Sequence, residues 1–342
     1  MSSPINIGAG PFLGNFPQHR AMRPALAFLN STLAPDSVAA LVRDAYGVVG
    51  ACTLHYRGTH DTYRLQNGDG WWFFRIYRAG LRTHDDARYE VAVLRHAVAR
   101  GMAVAPPIAR RDGDWLTVID APEGARHAVL FTSAPGTAVR GDEATAEHVR
   151  AYGRAIANLH VALADMPSRA SRSLSESALL DRPLEWLAPH LQHRPEDQRT
   201  LTDVVATLRA HLAGPIVAAC PQGVCHGDLH GGNAHYDVHH GITLFDFDEC
   251  GYGWLAYDLA AFHWMAERAG QLDTWWPLLL DGYEAVRPFT PNEHAAMPMF
   301  VLLRHVWQLG YDAWDNRFGG MARADADITA IMHSLREHST RT

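Results

Sequence analysis

The sequence contains no lysine: all 30 of its basic residues are arginine. That absence excludes Schiff-base chemistry and any phosphate clamp built on an ammonium group. Cysteine is scarce too. Cys52, Cys220, Cys225 and Cys250 form no CxxC pair, so they suggest neither a disulfide framework nor a thiolate zinc site and read as reduced, buried thiols. No apolar run approaches the roughly 20 residues needed to span a bilayer. The N-terminus lacks the basic-then-apolar pattern of a secretory signal. An excess of positive charge is also missing, since 37 acidic residues against 30 basic ones leave a formal charge of −7, which argues against nucleic acid as a main partner. The expectation is a cytoplasmic protein that binds neither membrane nor nucleic acid.

What is present is ample material for a core. Hydrophobic residues make up 47% of 342 and charged residues 20%, a globular composition in a chain long enough for two packed lobes. Residues 1–34 are rich in Pro, Gly and Asn and read as an N-terminal extension. A helix is expected from about Ser37 to Tyr46, with Asp36 or Ser37 as its N-cap. Strand-like segments follow at 52–56, 63–66 and 71–77, the last two joined as a hairpin through Asn67-Gly68-Asp69-Gly70. A helix over 84–100 ends at Gly101, and strands at 115–119 and 127–132 complete an antiparallel sheet. From Ala144 the pattern is helical except for a β-like region over 224–247. A small sheet carrying one helix, followed by a larger helical half, is an α+β arrangement. The expected division is an N-lobe over 35–132 and a helical C-lobe over 133–342.

The chemistry concentrates in Cys225-His226-Gly227-Asp228-Leu229-His230-Gly231-Gly232-Asn233 and in Leu244-Phe245-Asp246-Phe247-Asp248. The skeleton is H-x-D-x-x-x-x-N, with a further aspartate 18 positions after the first, directly behind an apolar strand. Phosphoryl transfer needs one carboxylate to orient the acceptor hydroxyl and accept its proton, and hard oxygen ligands to hold Mg²⁺ on the phosphates. Asp228 fits the first role; Asn233 and Asp246 fit the second. His226, His230, His235, His239 and His240 cluster nearby, but without cysteine or histidine at zinc spacing they do not make a zinc site. His226 is expected to hold the loop in shape.

With these residues in view, the chain resembles the aminoglycoside phosphotransferase and choline kinase superfamily, nearest to type II homoserine kinases and bacterial stress-response kinases. The HGDLHGGN loop, the LFDFDECGYG strand and Tyr257-Asp258-Leu259-Ala260 match in order and spacing, and the likeness covers roughly residues 35–335. It implies a protein-kinase-like two-lobed fold, ATP and Mg²⁺ as cofactors, Asp228 as catalytic base, and Asn233 and Asp246 as metal ligands, with Asp248 assisting. Asp258 is implied as a brace for the catalytic loop.

The nucleotide half is expected from the N-lobe. Arg57-Gly58-Thr59-His60 lies where kinases fold a loop over the phosphates, giving Gly58 and Thr59 as phosphate-loop residues. The next strand, where the family usually has lysine paired with a helix glutamate, reads Phe73-Phe74-Arg75-Ile76-Tyr77. Arg75 with Glu90 is therefore the expected ion pair, and Arg78, on the opposite strand face, the competitor. The segment from Leu130 to Gly136, with Phe131, Thr132 and Ser133, reads as the hinge that faces adenine.

Only 12 positions separate Asp246 from Asp258, and no A-P-E motif follows, so little chain is available for a peptide platform. The expectation is transfer of the γ-phosphate of ATP to a hydroxyl of a small molecule: an amino alcohol, a homoserine-like compound, a sugar or an aminoglycoside. A protein Ser/Thr kinase of the stress-response type and an inactive pseudokinase are the alternatives. Arg304, Gln308 and Asp312, spaced at helical intervals, are the candidate acceptor residues, with Arg304 suited to a carboxylate and Asp312 to an amine. Trp307, Tyr311 and Trp314 read as core. A small-molecule acceptor is the expected partner, and a homodimer is the assembly left open.

Overall fold

The computed structural model describes residues 27–316 apart from 69, 140, 142 and 167–171, together with 328–329, 332–333 and 335–336. Helix α1 (Pro35–Tyr46) opens with Pro35 in its first turn and Ala34 as N-cap, without a side-chain cap. The expected cap at Asp36 or Ser37 is therefore displaced, because proline's fixed φ is already helical and its missing N–H costs nothing in the first turn. Of the lead-in, residues 1–26 lie outside the described residues. Ser31 and Leu33 are tied to the sheet through Glu123, Arg126 and Tyr63.

Strands β1 (Ala51–Arg57), β2 (His60–Asn67) and β3 (Gly70–Tyr77) form an antiparallel meander, and β2–β3 closes as a hairpin with Asn67 opposite Gly70. Helix α2 (His84–Ala99) begins at a reciprocal capping box between Thr83 and Asp86. The strands β4 (Pro107–Ile108), β5 (Thr117–Ala121) and β6 (Gly124–Thr132) complete a six-stranded sheet in which β6 pairs with β3, β4 and β5. Alternation along β3 sends Phe74 and Ile76 into a small core with Val38, Val42 and Tyr46 of α1. The opposite set, Phe73, Arg75 and Tyr77, faces α2 and the cleft.

The larger lobe is mostly helical. It contains α3 (Ala146–Ala162), α4 (Arg182–Leu191) preceded by a wide turn, α5 (Pro195–Leu212), α6 (Pro215–Ala218), α7 (Leu255–Arg268), α8 (Leu272–Glu284) and α9 (Pro291–Asn316). Two short ribbons interrupt it: β7 (Gln222–Cys225) with β10 (Gly251–Trp254), and β8 (Ala234–Asp237) with β9 (Gly241–Leu244). The sequence reading places one β-like region here but does not separate the ribbons or find β10. The result is the α+β, two-lobed architecture expected from the sequence. No helix among the described residues is long and apolar enough to cross a membrane.

The chain between the lobes is pinned by backbone. Thr137 and Tyr236 exchange backbone hydrogen bonds of 3.1 and 2.9 Å, joining the inter-lobe segment to β8. At Gly136, φ is 80° and a Cβ would fall 2.1 Å from the Tyr236 carbonyl oxygen, so no side chain fits.

Candidate functional site

The loop from β7 to β8 carries Asp228, and a buried carboxylate shapes it from behind. Asp258, at the start of α7 and fully buried, accepts the backbone N–H of Gly227 at 2.7 Å on Oδ1 and of His226 at 2.9 Å on Oδ2. His160 of α3 supports the same Oδ2 at 3.0 Å. Gly227 has φ 86°, and a Cβ there would sit 2.3 Å from the Glu249 carbonyl. His226, also fully buried, bonds the Phe245 carbonyl through Nε2 at 2.9 Å and accepts the Asp228 N–H on Nδ1 at 3.3 Å. This single tautomer ties the catalytic loop to the strand that carries Asp246.

Both oxygens of Asp228 are engaged. Arg304 Nη2 donates to Oδ1 at 2.5 Å, Asn233 Nδ2 donates to Oδ2 at 3.1 Å, and His230 Nε2 lies 3.4 Å from Oδ2. Burial alone would raise this carboxyl, but Arg304 and His230 outweigh it and hold it far below the usual carboxylate range. Burial would lower His230, yet the Asp228 charge raises it above the ordinary histidine value. Both amide hydrogens of Asn233 point to Asp228, one to its carbonyl and one to its carboxylate. Its carbonyl oxygen is thereby the atom left to bind a cation.

Asp246 is the one non-glycine residue with positive φ among the described residues, at φ 67° and ψ 57°. Such a conformation costs of order 1–3 kcal/mol and persists where surrounding structure enforces it. Arg75, 8% exposed, places Nη1 2.8 Å from Glu90 Oε1 and Nη2 2.9 Å from Asp246 Oδ1. The second contact is too far out of line to be a hydrogen bond, and Asp246 Oδ1 stays buried without one. Tyr77 donates to the other oxygen of Glu90 at 2.6 Å. Burial lifts Glu90 above its usual value in spite of Arg75. Asp248, 6% exposed, faces His60 at 3.5 Å and Arg82 at 3.8 Å. Burial would raise its carboxyl, but the His60 hydrogen bond and Arg82 hold it below the usual range. A buried carboxylate oxygen that accepts no hydrogen bond, a second buried aspartate and an amide carbonyl are the hard donors a divalent cation takes.

These groups line one cavity of about 980 Å³ between the lobes. Arg75, Glu90, Phe131, Thr132, Ser133, Thr59, Asp228, Asn233, Asp246 and Asp248 all border it. Gly58 does not: its N–H bonds the His60 carbonyl and its carbonyl is held by Arg78 Nε at 2.5 Å. The amides of Thr132 and Ser133 are committed to the carbonyls of Pro106 and Trp71, so those two residues offer a base their carbonyls and side chains.

Two expectations need correcting. Arg304, Gln308 and Asp312 do not line the cavity. Arg304 is 1% exposed beneath Asp228, its Nη2 also reaches Gln308 Oε1 at 3.2 Å, and Gln308 passes the chain on to Asp312 at 2.9 Å. The helix-face pattern shows a polar stripe but not that α9 runs under the catalytic loop. Tyr311, read as core, is the residue of α9 that reaches the cavity, where its hydroxyl meets Thr59 Oγ1 at 3.2 Å. Arg82 and Arg172, which grip Glu249 and the Asp248 region, and His160 carry no local sequence signal, because their partners lie 76 to 167 positions away.

Comparison with known proteins agrees with this fold. The model of the phosphotransferase enzyme family matches residues 55–289. An uncharacterised protein of Deinococcus radiodurans is 36% identical over 82% of this chain and 83% of its own length. The homoserine kinase of Xanthobacter autotrophicus is 32% identical over 70% of this chain and 72% of its own length. Among solved structures, the amicoumacin kinase hAmiN, in complex with AMP-PNP, Ca²⁺ and Ami, superposes with a TM-score of 0.74 at 20% identity, covering 89% of this chain and 94% of that one.

Proposed function

The chain belongs to the phosphotransferase enzyme family, and from that premise we propose that it phosphorylates a small hydroxyl-bearing acceptor of the hydroxy-amino-acid or amino-alcohol class at Asp228. That it is an ATP-dependent phosphotransferase acting on hydroxyl groups, with a divalent metal, follows from the family and the relatives that match it.

One observation supports the small acceptor. Between Asp246 and Asp258 the chain is committed to a tight turn at Phe247–Glu249, the strand Gly251–Trp254 paired with β7, and the first turn of α7. No segment is left there to form a shelf for an extended peptide. Similarity to a homoserine kinase points in the same direction.

In the proposed mechanism Asp228 accepts a hydrogen bond from the acceptor hydroxyl and aims its oxygen at the γ-phosphorus. The new O–P bond forms as the bond to the β-bridging oxygen breaks, ADP leaves, and the hydroxyl proton passes to the Asp228 carboxylate. Arg304 and His230 make that carboxylate a weak base, so its main contribution is orientation, with proton transfer late. Asn233, Asp246 and Asp248 would hold the metal, which neutralises charge on the phosphates. Arg75 balances Asp246; a cation held by that carboxylate would leave the Nη2 of Arg75 to a phosphate oxygen, which a planar guanidinium grips well.

The test is a screen with γ-labelled ATP against homoserine, amino alcohols, sugars and aminoglycosides, following label in small molecules and in protein from the same tubes. Turnover of a hydroxy amino acid or amino alcohol is expected. Label confined to serine or threonine of protein substrates would overturn the reading.

A further inference from the structure

The turn after β1 carries a histidine that no step above uses. His60 begins β2, is 5% exposed and borders the cavity. Its Nδ1 lies 3.2 Å from Thr59 Oγ1 and 3.5 Å from Asp248 Oδ2. One ring nitrogen of His60 and one carboxylate oxygen from each of Asp246 and Asp248 lie within 4.8 Å of one another. The histidine comes from the small lobe and the aspartates from the large one, so the cluster straddles the cleft.

An ordinary histidine–aspartate pair would explain His60 and Asp248 but not the third member. Asp246 Oδ1 is buried and accepts no hydrogen bond, and its backbone is held in a strained conformation. A cation among the three groups would take over a carboxylate whose counter-charge is otherwise Arg75, with Nη2 2.9 Å from Asp246 Oδ1. Divalent metals bind imidazole nitrogen and carboxylate oxygen at about 2.0–2.2 Å, which sets ligand atoms about 3–3.5 Å apart. The three therefore need to draw together by about 1 Å. Magnesium prefers oxygen and water in a rigid octahedron, whereas one imidazole with two carboxylates suits manganese, cobalt or zinc better.

We propose that His60 supplies a nitrogen ligand to a divalent cation held by Asp246 and Asp248, forming a lobe-bridging site that binds Mn²⁺ in preference to Mg²⁺ before any nucleotide arrives. The inference rests on the metal role given above to Asp246. Occupancy draws the phosphate turn toward the large lobe. The incoming triphosphate then meets a cation already in place, and its oxygens complete the coordination.

The experiment uses the full chain without nucleotide, titrated with Mn²⁺ and followed by electron paramagnetic resonance, with spin-echo modulation to detect ¹⁴N on the metal. The wild type is expected to bind one Mn²⁺ with nitrogen modulation, and excess Mg²⁺ should displace it poorly. His60→Ala should lose the modulation and weaken Mn²⁺ by at least about tenfold. His60→Gln, which keeps a polar side chain of similar reach, should lose the modulation while its circular dichroism stays that of the wild type. Nitrogen modulation persisting in both variants, or a dissociation constant unchanged within about twofold, overturns the proposal. So does a wild type that binds no Mn²⁺ without nucleotide. Asp246→Ala separates the two readings. If it abolishes Mn²⁺ binding while His60→Ala changes nothing, only the histidine ligand falls; if neither substitution matters, the metal role of Asp246 falls with it.

Discussion

Asp228 is surrounded by donors on both oxygens, and that crowding decides what its removal should do. Asp228→Asn keeps the size, but its single acceptor oxygen can serve Asn233 or Arg304 and not both, and it loses the charge that Arg304 neutralises. Folding and ATP binding should survive, and turnover should fall by roughly 10²-fold or more, because the acceptor hydroxyl loses the carboxylate that orients it. A steady-state comparison retaining more than half the wild-type kcat would remove Asp228 from the mechanism. Arg304 is the complementary case. Its guanidinium is wedged between Trp264 and Trp307, with ring centroids 5.3 and 4.3 Å away, and ends on Asp228. Arg304→Met fills the space but strands a carboxylate, a change that costs roughly 3–5 kcal/mol for a buried pair. Chemical denaturation should show that loss, together with a lower kcat and a nearly unchanged KM for ATP. Asp228 was readable from four neighbouring positions of sequence, whereas Arg304 stands 76 positions away, so only the folded chain shows what it does.

Strand β3 and the turn above it show how alternation was right about direction and silent about burial. Arg75 and Arg78 do face opposite sides, and Arg75 meets Glu90. Arg78, however, is 3% exposed, lies 3.7 Å from Asp61 and holds the Gly58 carbonyl. The Gly58 turn is thus braced by an arginine that a period-two pattern puts on the face of Phe74 and Ile76, opposite Arg75. Arg75→Ala should raise the KM for ATP or lower turnover markedly. Arg78→Ala should destabilise the protein by about 1–3 kcal/mol, the cost of an unsatisfied buried carbonyl, because Asp61 keeps its 2.8 Å contact with Arg126. An Arg78→Ala protein with unchanged melting temperature and unchanged ATP kinetics would show that the brace is dispensable. The catalytic ribbons were legible for a different reason. Asp228, Asn233, Asp246 and Asp258 lie on one continuous run of chain, so their spacing fixes their neighbourhood. Tyr311, the α9 residue that reaches the cavity, comes from a helix whose path under the Asp228 loop no local pattern encodes.

The ties between the two lobes include the pinned segment at Thr137, the Arg75–Asp246 and His60–Asp248 contacts, the Arg82–Glu249 pair, the Tyr311–Thr59 hydrogen bond and the backbone hydrogen bonds of Leu244 with Ala103 and Ala105. Ligands that contact both lobes should therefore stabilise the whole chain. ATP with a divalent cation at about 100 times its dissociation constant should add about 2.7 kcal/mol, visible as a rise in melting temperature, and chelation of the metal should remove most of that rise. Equal stabilisation by ATP in EDTA would mean that Asn233 and Asp246 do not hold the nucleotide's metal. The two-lobed architecture was legible in the order of strand and helix patterns. The short ties were not, because each joins residues distant in sequence.

The arginine that occupies the nucleotide ion pair also sets how this enzyme can be detected. Acyl-phosphate nucleotide analogues mark kinases by transferring an acyl group to the amine beside the phosphates. Arg75 presents a guanidinium protonated at every accessible pH, and no side-chain amine exists anywhere in the chain. Such reagents will pass over this kinase even when its cleft is fully occupied by them, and lysine acetylation can never silence it.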